Sequence, residues 1–464
     1  MSEQKENLKK NAWLRIKPAD LPAVHDFNQG YRDFLNQVKT EREAVAYIKQ
    51  AAQGHGFVDL DRVASLEPGQ KLFFQQKGKI CALVVIGQEA MENGVNMVVS
   101  HIDSPRLDLK ANPLYEADGL ALFKTHYYGG IKKYQWLAIP LALHGVVIKK
   151  DGQVVSVVIG EENDDFVLSI ADLLPHLAKE QMEKKMSEAI PAENLNLLVG
   201  SQPLGDTADN PIKKKVLQIL QEKYAIEEED FSSAELQAVP AFQARDIGFD
   251  RSMIGAYGQD DRVCAYTSLR AALELEAPKR TAICLFADKE EIGSNGNTGL
   301  QSLIIENLMA ELMSKAGYNN YLTLRKSLAN SCSLSADVNA AVDPNYPEVF
   351  EKMNCSFLSR GVVLTKYTGS RGKSNSNDAN PEFLARIRRL FDDNEVFWQV
   401  GELGKVDIGG GGTVAHYMAR YGMEVVDLGV ALLGMHSPFE VSSKVDVFLA
   451  YKAYRVFMQS FCNQ

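Results

Sequence analysis

The chain has 464 residues, 45% hydrophobic and 24% charged, which suits a soluble globular protein with room for two or three domains. Its 50 basic and 60 acidic residues leave a net charge of −10, which argues against a nucleic-acid partner or an anionic membrane surface. The charged stretch Met1–Lys10 lacks the apolar core of a signal peptide, and no apolar run approaches the length of a membrane span.

Spaced apolar residues between Val24 and Gly54 predict two helices broken near Thr40. Lys71–Gln76 and Ile80–Ile86, around Lys77-Gly78-Lys79, predict a hairpin. Asn96–Ser100 reads as a strand running into His101-Ile-Asp103. Aromatics and glycine crowd His126–Trp136, a change of texture from what precedes it. Leu137–Lys149 and Val154–Ile159 read as strands about the turn Lys150-Asp151-Gly152. Ala171–Ile190 reads as a helix with Pro175 in its first turn, and Ile212–Tyr224 as another. Residues 105–244 are expected to form an inserted domain, with the sequence on either side belonging to one larger domain.

Beyond the insert, Arg262–Leu275 predicts a helix behind Asp260-Asp261. Thr281–Ala287 predicts a buried strand that breaks into Asp288, Glu290 and Glu291. Ile304–Ala316 reads as a helix, and Ser331–Ser335 as a strand leading to Asp337. Gly409–Gly412 opens a helix over Thr413–Tyr421, and Val425–Leu428 begins a strand-like segment before Met435-His436-Ser437. The alternation predicts an α/β domain with a mixed or mostly parallel sheet. The cysteines Cys81, Cys264, Cys284, Cys332, Cys355 and Cys462 show no C-x-x-C pair and predict buried free thiols in a cytoplasmic protein.

His101, Asp260, Glu291, Asp337 and His436 each lie at the end of a strand-like segment or the start of a helix, where α/β domains build their sites. Imidazoles and carboxylates without a thiolate cluster suit zinc, manganese or cobalt. The pair Glu290-Glu291 allows one acid to bind metal while the other moves a proton. Each residue also has a plain reading. His101 fits a hydrogen-bonded strand end, His436 a cap, Asp260-Asp261 an N-cap, Asp337 a turn, and Glu290-Glu291 a solvated loop. No Lys-Ser/Thr follows Gly409–Gly412, so close approach to a peptide, or a flexible turn, fits better than a phosphate cradle. In so acidic a chain, Lys132-Lys133-Tyr134 reads as a lid or subunit contact rather than a nucleic-acid surface.

Five motifs occur in order: Ser100-His101-Ile-Asp103-Ser-Pro105, Gly258-Gln-Asp260-Asp261, Asp288-Lys-Glu290-Glu291-Ile-Gly-Ser294, Ser335-Ala-Asp337 running on to Tyr346, and Ala431-Leu-Leu-Gly-Met-His436-Ser437. With them, nearly the whole chain resembles the M18 metalloaminopeptidases, the aspartyl aminopeptidase family. The resemblance implies an α/β/α catalytic domain of the zinc-aminopeptidase type at 1–104 and 245–464. A β-rich dimerisation or lid domain would be inserted at 105–244. It implies a homo-oligomer, a dodecamer built from dimers. Two divalent metal ions are implied, zinc first, with manganese or cobalt as alternatives. His101, Asp260 and Asp337 would hold one, and Asp260, Glu291 and His436 the other, with Asp260 bridging. Glu290 would be the general base toward a metal-activated water. Asp103 would accept the second N–H of His101. Lys366, in Leu364-Thr-Lys366-Tyr367, would face the acidic side chain of the substrate. The implied activity is hydrolysis of the first bond of peptides with a free N-terminus, Asp or Glu preferred, with no nucleic-acid or membrane partner.

The sequence departs from the eukaryotic branch of that family. Tyr134 stands where that branch has a histidine reaching the neighbouring subunit's site, and Ala340 where it has a histidine after the metal-binding aspartate. Trp136–Pro140 is apolar where that branch is charged. These departures leave open a broader or neutral specificity. Two further readings compete: a metal-dependent deacylase or carboxypeptidase, and a catalytically silent oligomeric scaffold.

Overall fold

The structure, a computed structural model, describes residues 10–162, 165–205 and 209–462, so most of the charged Met1–Lys10 stretch lies outside it. Thr40 shows how locally some of the fold is written. Its hydroxyl accepts from the Glu43 amide, and the Glu43 carboxylate accepts from the Thr40 amide. This reciprocal cap ends the run of the helix Leu21–Gln37 and starts the helix Glu41–Gly54.

The chain divides into two compact units. The first holds the residues up to Asp103, then Ala244–Met435, and those from Glu440 onward; the second holds Ser104–Gln243 and His436–Phe439. The first is built on a mixed nine-stranded sheet. Its order runs Val58–Asp59, Lys71–Gln76, Ile80–Val85, Ala282–Ala287, Asn96–His101, Cys332–Ser335, Glu424–Gly429, Val362–Thr365, Trp398–Val400. Its central strands Ile80–Val85, Ala282–Ala287, Asn96–His101 and Cys332–Ser335 are buried throughout because both faces are covered. Cys81, Leu83 and Val85 join a core made with the helices Leu21–Gln37, Gln259–Leu273 and Lys444–Ser460. Ile80, Ala82 and Val84 point the other way, into a core made with the helices Ile304–Lys315, Tyr321–Asn330 and Ala415–Ala419. The period of two along one strand thus builds a three-layer α/β/α unit. A second sheet of five short strands (Arg245–Ile247, Met253–Ala256, Glu440–Ser443, Ala431–Leu433, Asn339–Ala340) belongs to the same unit.

The second unit carries a six-stranded antiparallel sheet, with the helix Pro211–Tyr224 packed on it. Its longest hairpin joins Arg106–Ala117 to Leu120–Tyr128 through Asp118-Gly119, both with positive φ. That Asp-Gly pair is a hairpin signal in the sequence, masked by Pro113 and a register shift between Leu109 and Leu114. The helix expected over Ala171–Ile190 does not form. Only Lys179–Met182 and Met186–Ala189 are helical, four residues each. Leu177, Met182 and Met186 are 68%, 76% and 67% exposed, so no apolar face is buried to hold a helix together. Asp172 also bonds the neighbouring Leu173 amide, a local alternative to helical pairing.

All six cysteines are free, five of them buried. No helix among the described residues is long and apolar enough to cross a membrane.

Asp446, fully buried in the helix Lys444–Ser460, accepts from the Ser359 and Gly361 amides at 2.6 and 2.7 Å. Burial pushes its carboxyl up to about 7, against the pull of those two amides. The folded chain therefore holds this proton more tightly than the unfolded chain, and the group's stabilising contribution is lost as pH rises from about 4 to about 7. Thermal midpoints against pH should show the advantage of the wild type over Asp446→Asn shrinking across that window. Asp446→Ala leaves two buried N–H groups without this acceptor and should cost about 2–5 kcal/mol. A pH-independent gap between wild type and Asp446→Asn would refute the assignment.

Candidate metal centre

Three neighbouring parallel strands, Ala282–Ala287, Asn96–His101 and Cys332–Ser335, end at one edge of the large sheet. Their register sets Ala287 beside His101 and Ser335 beside Val99. The residues that leave those ends therefore emerge together: Asp288–Glu291 from the first, His101–Asp103 from the second and Asp337 from the third. Asp260 arrives from the small sheet. The strand Met253–Ala256 passes through Gly258, in the left-handed conformation, into the helix Gln259–Leu273. The N-cap of that helix is Gly258, and Asp260 and Asp261 within it depart from helical geometry.

His101 is the hub. Its Nε2 lies 3.2 Å from Asp260 Oδ1, 3.8 Å from Asp337 Oδ1 and 4.0 Å from Glu290 Oε2. Its Nδ1 lies 3.0 Å from the Asp103 main-chain oxygen and 3.4 Å from the Asp103 carboxylate. That carboxylate also accepts the Glu290 and Glu291 amides at 3.1 and 3.2 Å, which pins the acidic turn. Behind the turn, buried Asp288 is bonded by Lys289 at 2.6 Å and by Thr298 at 2.5 Å. His101, Asp260 and Asp337 each offer one ligand atom, and those atoms lie within 4.8 Å of one another.

His436 opens the short segment of the second unit that follows Ala431–Leu433 by three residues. It has φ +65, and its Nδ1 lies 2.8 Å from the Gly130 carbonyl. Lys366 is exposed, one residue past the strand Val362–Thr365. Thr365 accepts a bond from Asn339, two residues beyond Asp337.

Gln259 and Glu440 carry no signal in the sequence, yet they hold the Asp260 main chain. The Glu440 carboxylate accepts the Gln259 and Asp260 amides at 2.6 and 3.2 Å. A buried glutamate reads in a sequence like any surface acid; only its place at the start of the strand-like run Glu440–Ser443 hints at it.

The electrostatics point to a cation. Burial pushes Asp337 well above the usual carboxylate range; His101 opposes the shift, and Asp261, Asp260 and Glu290 add to it. Burial likewise raises Asp261, opposed by His101 and reinforced by Asp260. Burial would lower His101, but bonds to Asp103 and Asp260 and the charge of Glu290 hold the imidazole well above its ordinary value. Carboxylates gathered in a low dielectric take up protons or a cation. One imidazole nitrogen and two carboxylate oxygens at this spacing fit a divalent ion of the zinc or manganese kind.

A family model described as "Aminopeptidase I zinc metalloprotease (M18)" matches residues 34–458. A Clostridium acetobutylicum protein named "Probable M18 family aminopeptidase 1" is 50% identical over 456 residues, 97% of this chain and 98% of that protein. The crystal structure of an M18 aminopeptidase from Thermotoga maritima superposes with a TM-score of 0.94 at 47% identity, covering 97% of this chain and 99% of that one. Aminopeptidase I from Clostridium acetobutylicum superposes with a TM-score of 0.91 at 49% identity, covering 97% and 98%.

A ligand set that holds protons must release them to bind metal. Zinc affinity of the metal-free protein should rise by about tenfold per pH unit for each proton displaced. Calorimetry in buffers of different ionisation enthalpy counts those protons. An affinity flat from about pH 5.5 to 7.5 would mean that His101 and Asp337 are already deprotonated.

Proposed function

This chain belongs to the M18 aminopeptidases, a family of zinc metalloproteases, and on that premise we propose a two-ion site with Glu290 as general base and a preference for acidic N-terminal residues. The observation that carries the proposal is the meeting of His101, Asp260, Asp337 and Glu290 at one sheet edge. His101, Asp260 and Asp337 would hold one divalent ion. Asp260, Glu291 and His436 would hold the other, with Asp260 common to both sets. When bound, the ions supply Lewis acidity that lowers the pKa of water and polarises the scissile carbonyl.

Glu290 stands beside the ligand atoms rather than among them, 4.0 Å from His101 Nε2. Its carboxylate takes the proton of the attacking water and passes it to the leaving amine, base first and acid second. Asp103 keeps both glutamates in place through their main-chain amides and steadies the His101 ring. The Lys366 ammonium offers an opposite charge to an Asp or Glu side chain at the substrate's N-terminal position. Its strand is tied to the Asp337 segment through Thr365 and Asn339.

The second unit serves as a dimerisation or lid domain in a homo-oligomer, a dodecamer built from dimers. The exposed apolar residues Val154, Val158, Phe166 and Leu177 on that unit support association. The six free thiols of the chain suit the cytoplasm.

The test is a panel of aminoacyl anilides (Asp, Glu, Leu and Lys, with free and acetylated amines) after metal removal and with zinc, manganese or cobalt restored. Metal-dependent cleavage of the free Asp and Glu substrates is expected. Cleavage of acetylated substrates alone would replace the aminopeptidase mechanism with a deacylase. Glu290→Gln should keep full metal content and lose about 10²–10⁴ in kcat, and undiminished turnover in that variant would remove Glu290 from its role. Lys366→Ala should reduce the preference for Asp over Leu by about tenfold, or 1.4 kcal/mol. An unchanged ratio would place the acidic selectivity elsewhere.

A further inference from the structure

The geometry assigns to Glu440 a role beyond packing: we propose that it is a positioning residue that sets the Asp260 main chain and so tunes how tightly the centre holds its metal. This rests on the reading of Asp260 as the shared ligand. Glu440 is 1% exposed. Its Oε2 accepts two successive main-chain N–H groups, Gln259 at 2.6 Å and Asp260 at 3.2 Å. These are orphan donors at a helix start, where a carboxylate is well placed to accept.

The placement of Glu440 is fixed on both sides. It pairs with Ala256 across the small sheet, so the chain from Ala256 through Gly258 to Asp260 turns directly over it. Gln259 then locks the turn from its own side chain. Its Nε2 donates to the Ile254 and Glu440 main-chain oxygens at 3.1 and 2.7 Å. Its Oε1 accepts from Ser442 at 2.6 Å and Tyr31 at 3.2 Å. The outcome is a main chain at Asp260 in a non-helical conformation (φ −82, ψ 107) inside a helix, with the carboxylate turned to His101 at 3.2 Å.

Glu440 also comes four residues after His436. The loop that carries His436 leaves the small sheet at Leu433 and returns to it at Glu440. One residue therefore ends that loop and fixes the turn that carries Asp260. A displaced Glu440 carboxylate would shift the Asp260 ligand atoms while leaving every proposed ligand in the sequence. Residues that orient metal ligands in this way commonly contribute tenfold to a hundredfold in affinity.

The experiment compares zinc affinity of the full-length wild type, Glu440→Gln, Glu440→Asp and Glu440→Ala, by competition with a fluorescent chelator. The thermal midpoint of each metal-free protein is recorded alongside. Glu440→Gln keeps an acceptor for the two N–H groups and should stay within about threefold of wild type. Glu440→Asp withdraws the oxygens by one methylene, and Glu440→Ala removes them; losses of about tenfold or more are expected for both. If Glu440→Ala does not fold, the contrast between Gln and Asp carries the test. Asp446→Asn is the packing control: it alters a buried carboxylate that bonds the Ser359 and Gly361 amides, leaves Glu440 and Gln259 in place and should bind zinc like wild type. Lowered midpoints with unchanged zinc affinity in the Asp and Ala variants would overturn the proposal, as would equal losses in Gln and Asp. Zinc stoichiometry of the wild type tests the two-ion reading separately. A wild type that binds one ion sinks that reading, and the variants are then compared on the ion that remains.

Discussion

Carboxylates brought together out of water repel one another, and the unit built on the large sheet is organised around that repulsion. Two kinds stand out among its buried acids. Asp446 and Glu440 turn their oxygens onto pairs of main-chain N–H groups, so the fold itself satisfies them. Asp260 and Asp337 instead face His101 and one another's field. A divalent cation would relieve that second group. Asp103 stands between the two kinds, accepting the amides of Glu290 and Glu291 while lying 3.4 Å from the His101 ring.

Holding such groups together requires a frame stiff enough to resist their mutual push, and two sheets provide it. The large sheet fixes by register the strand ends from which His101, Asp337 and the glutamate turn emerge, since slipping a strand by one residue would turn its side chains to the opposite face. The small sheet holds the turn before Asp260 and anchors the loop that carries His436 at both ends. Parallel neighbours need long crossovers, so side chains that meet in space at their ends must lie far apart in sequence. That is why no regular spacing joins His101, Asp260 and Asp337.

What could be read from the sequence was what is local. The Thr40-x-x-Glu43 box, the Lys71–Val85 hairpin and the continuous apolar run Ala282–Ala287 all carry their structure in short-range pattern. The acids and histidines at strand ends were visible as candidates for the same reason. What failed depended on partners at a distance. The stretch Ala171–Ile190 has helical spacing but nothing to bury it against, so it stays mostly irregular. The Asp260-Asp261 pair resembles a helix cap but is drawn out of helical geometry by contacts such as Glu440, 180 residues away. Gln259 was unreadable because its four side-chain bonds reach Tyr31, Ile254, Glu440 and Ser442.

The glycine run Gly409–Gly412 shows how a motif can be structural in a way its sequence does not announce. A flexible turn would leave room around its α-carbons. Here a Cβ on Gly409 would land on the Leu403 carbonyl oxygen, and one on Gly410 on the Gly369 carbonyl oxygen. Gly410 also has φ +107, which side-chain-bearing residues rarely adopt. The Gly369 amide bonds the Gly411 carbonyl at 2.5 Å, so the run lies backbone to backbone against the segment that follows Lys366. At its far end Thr413 bonds the buried Asp427 at 2.6 Å, in a strand that pairs with both Ser335 and Thr365. Gly409 and Gly410 are therefore required for close approach to the chain itself. They let one loop brace another, so that the segment after Lys366 is shaped by the same sheet that positions Asp337.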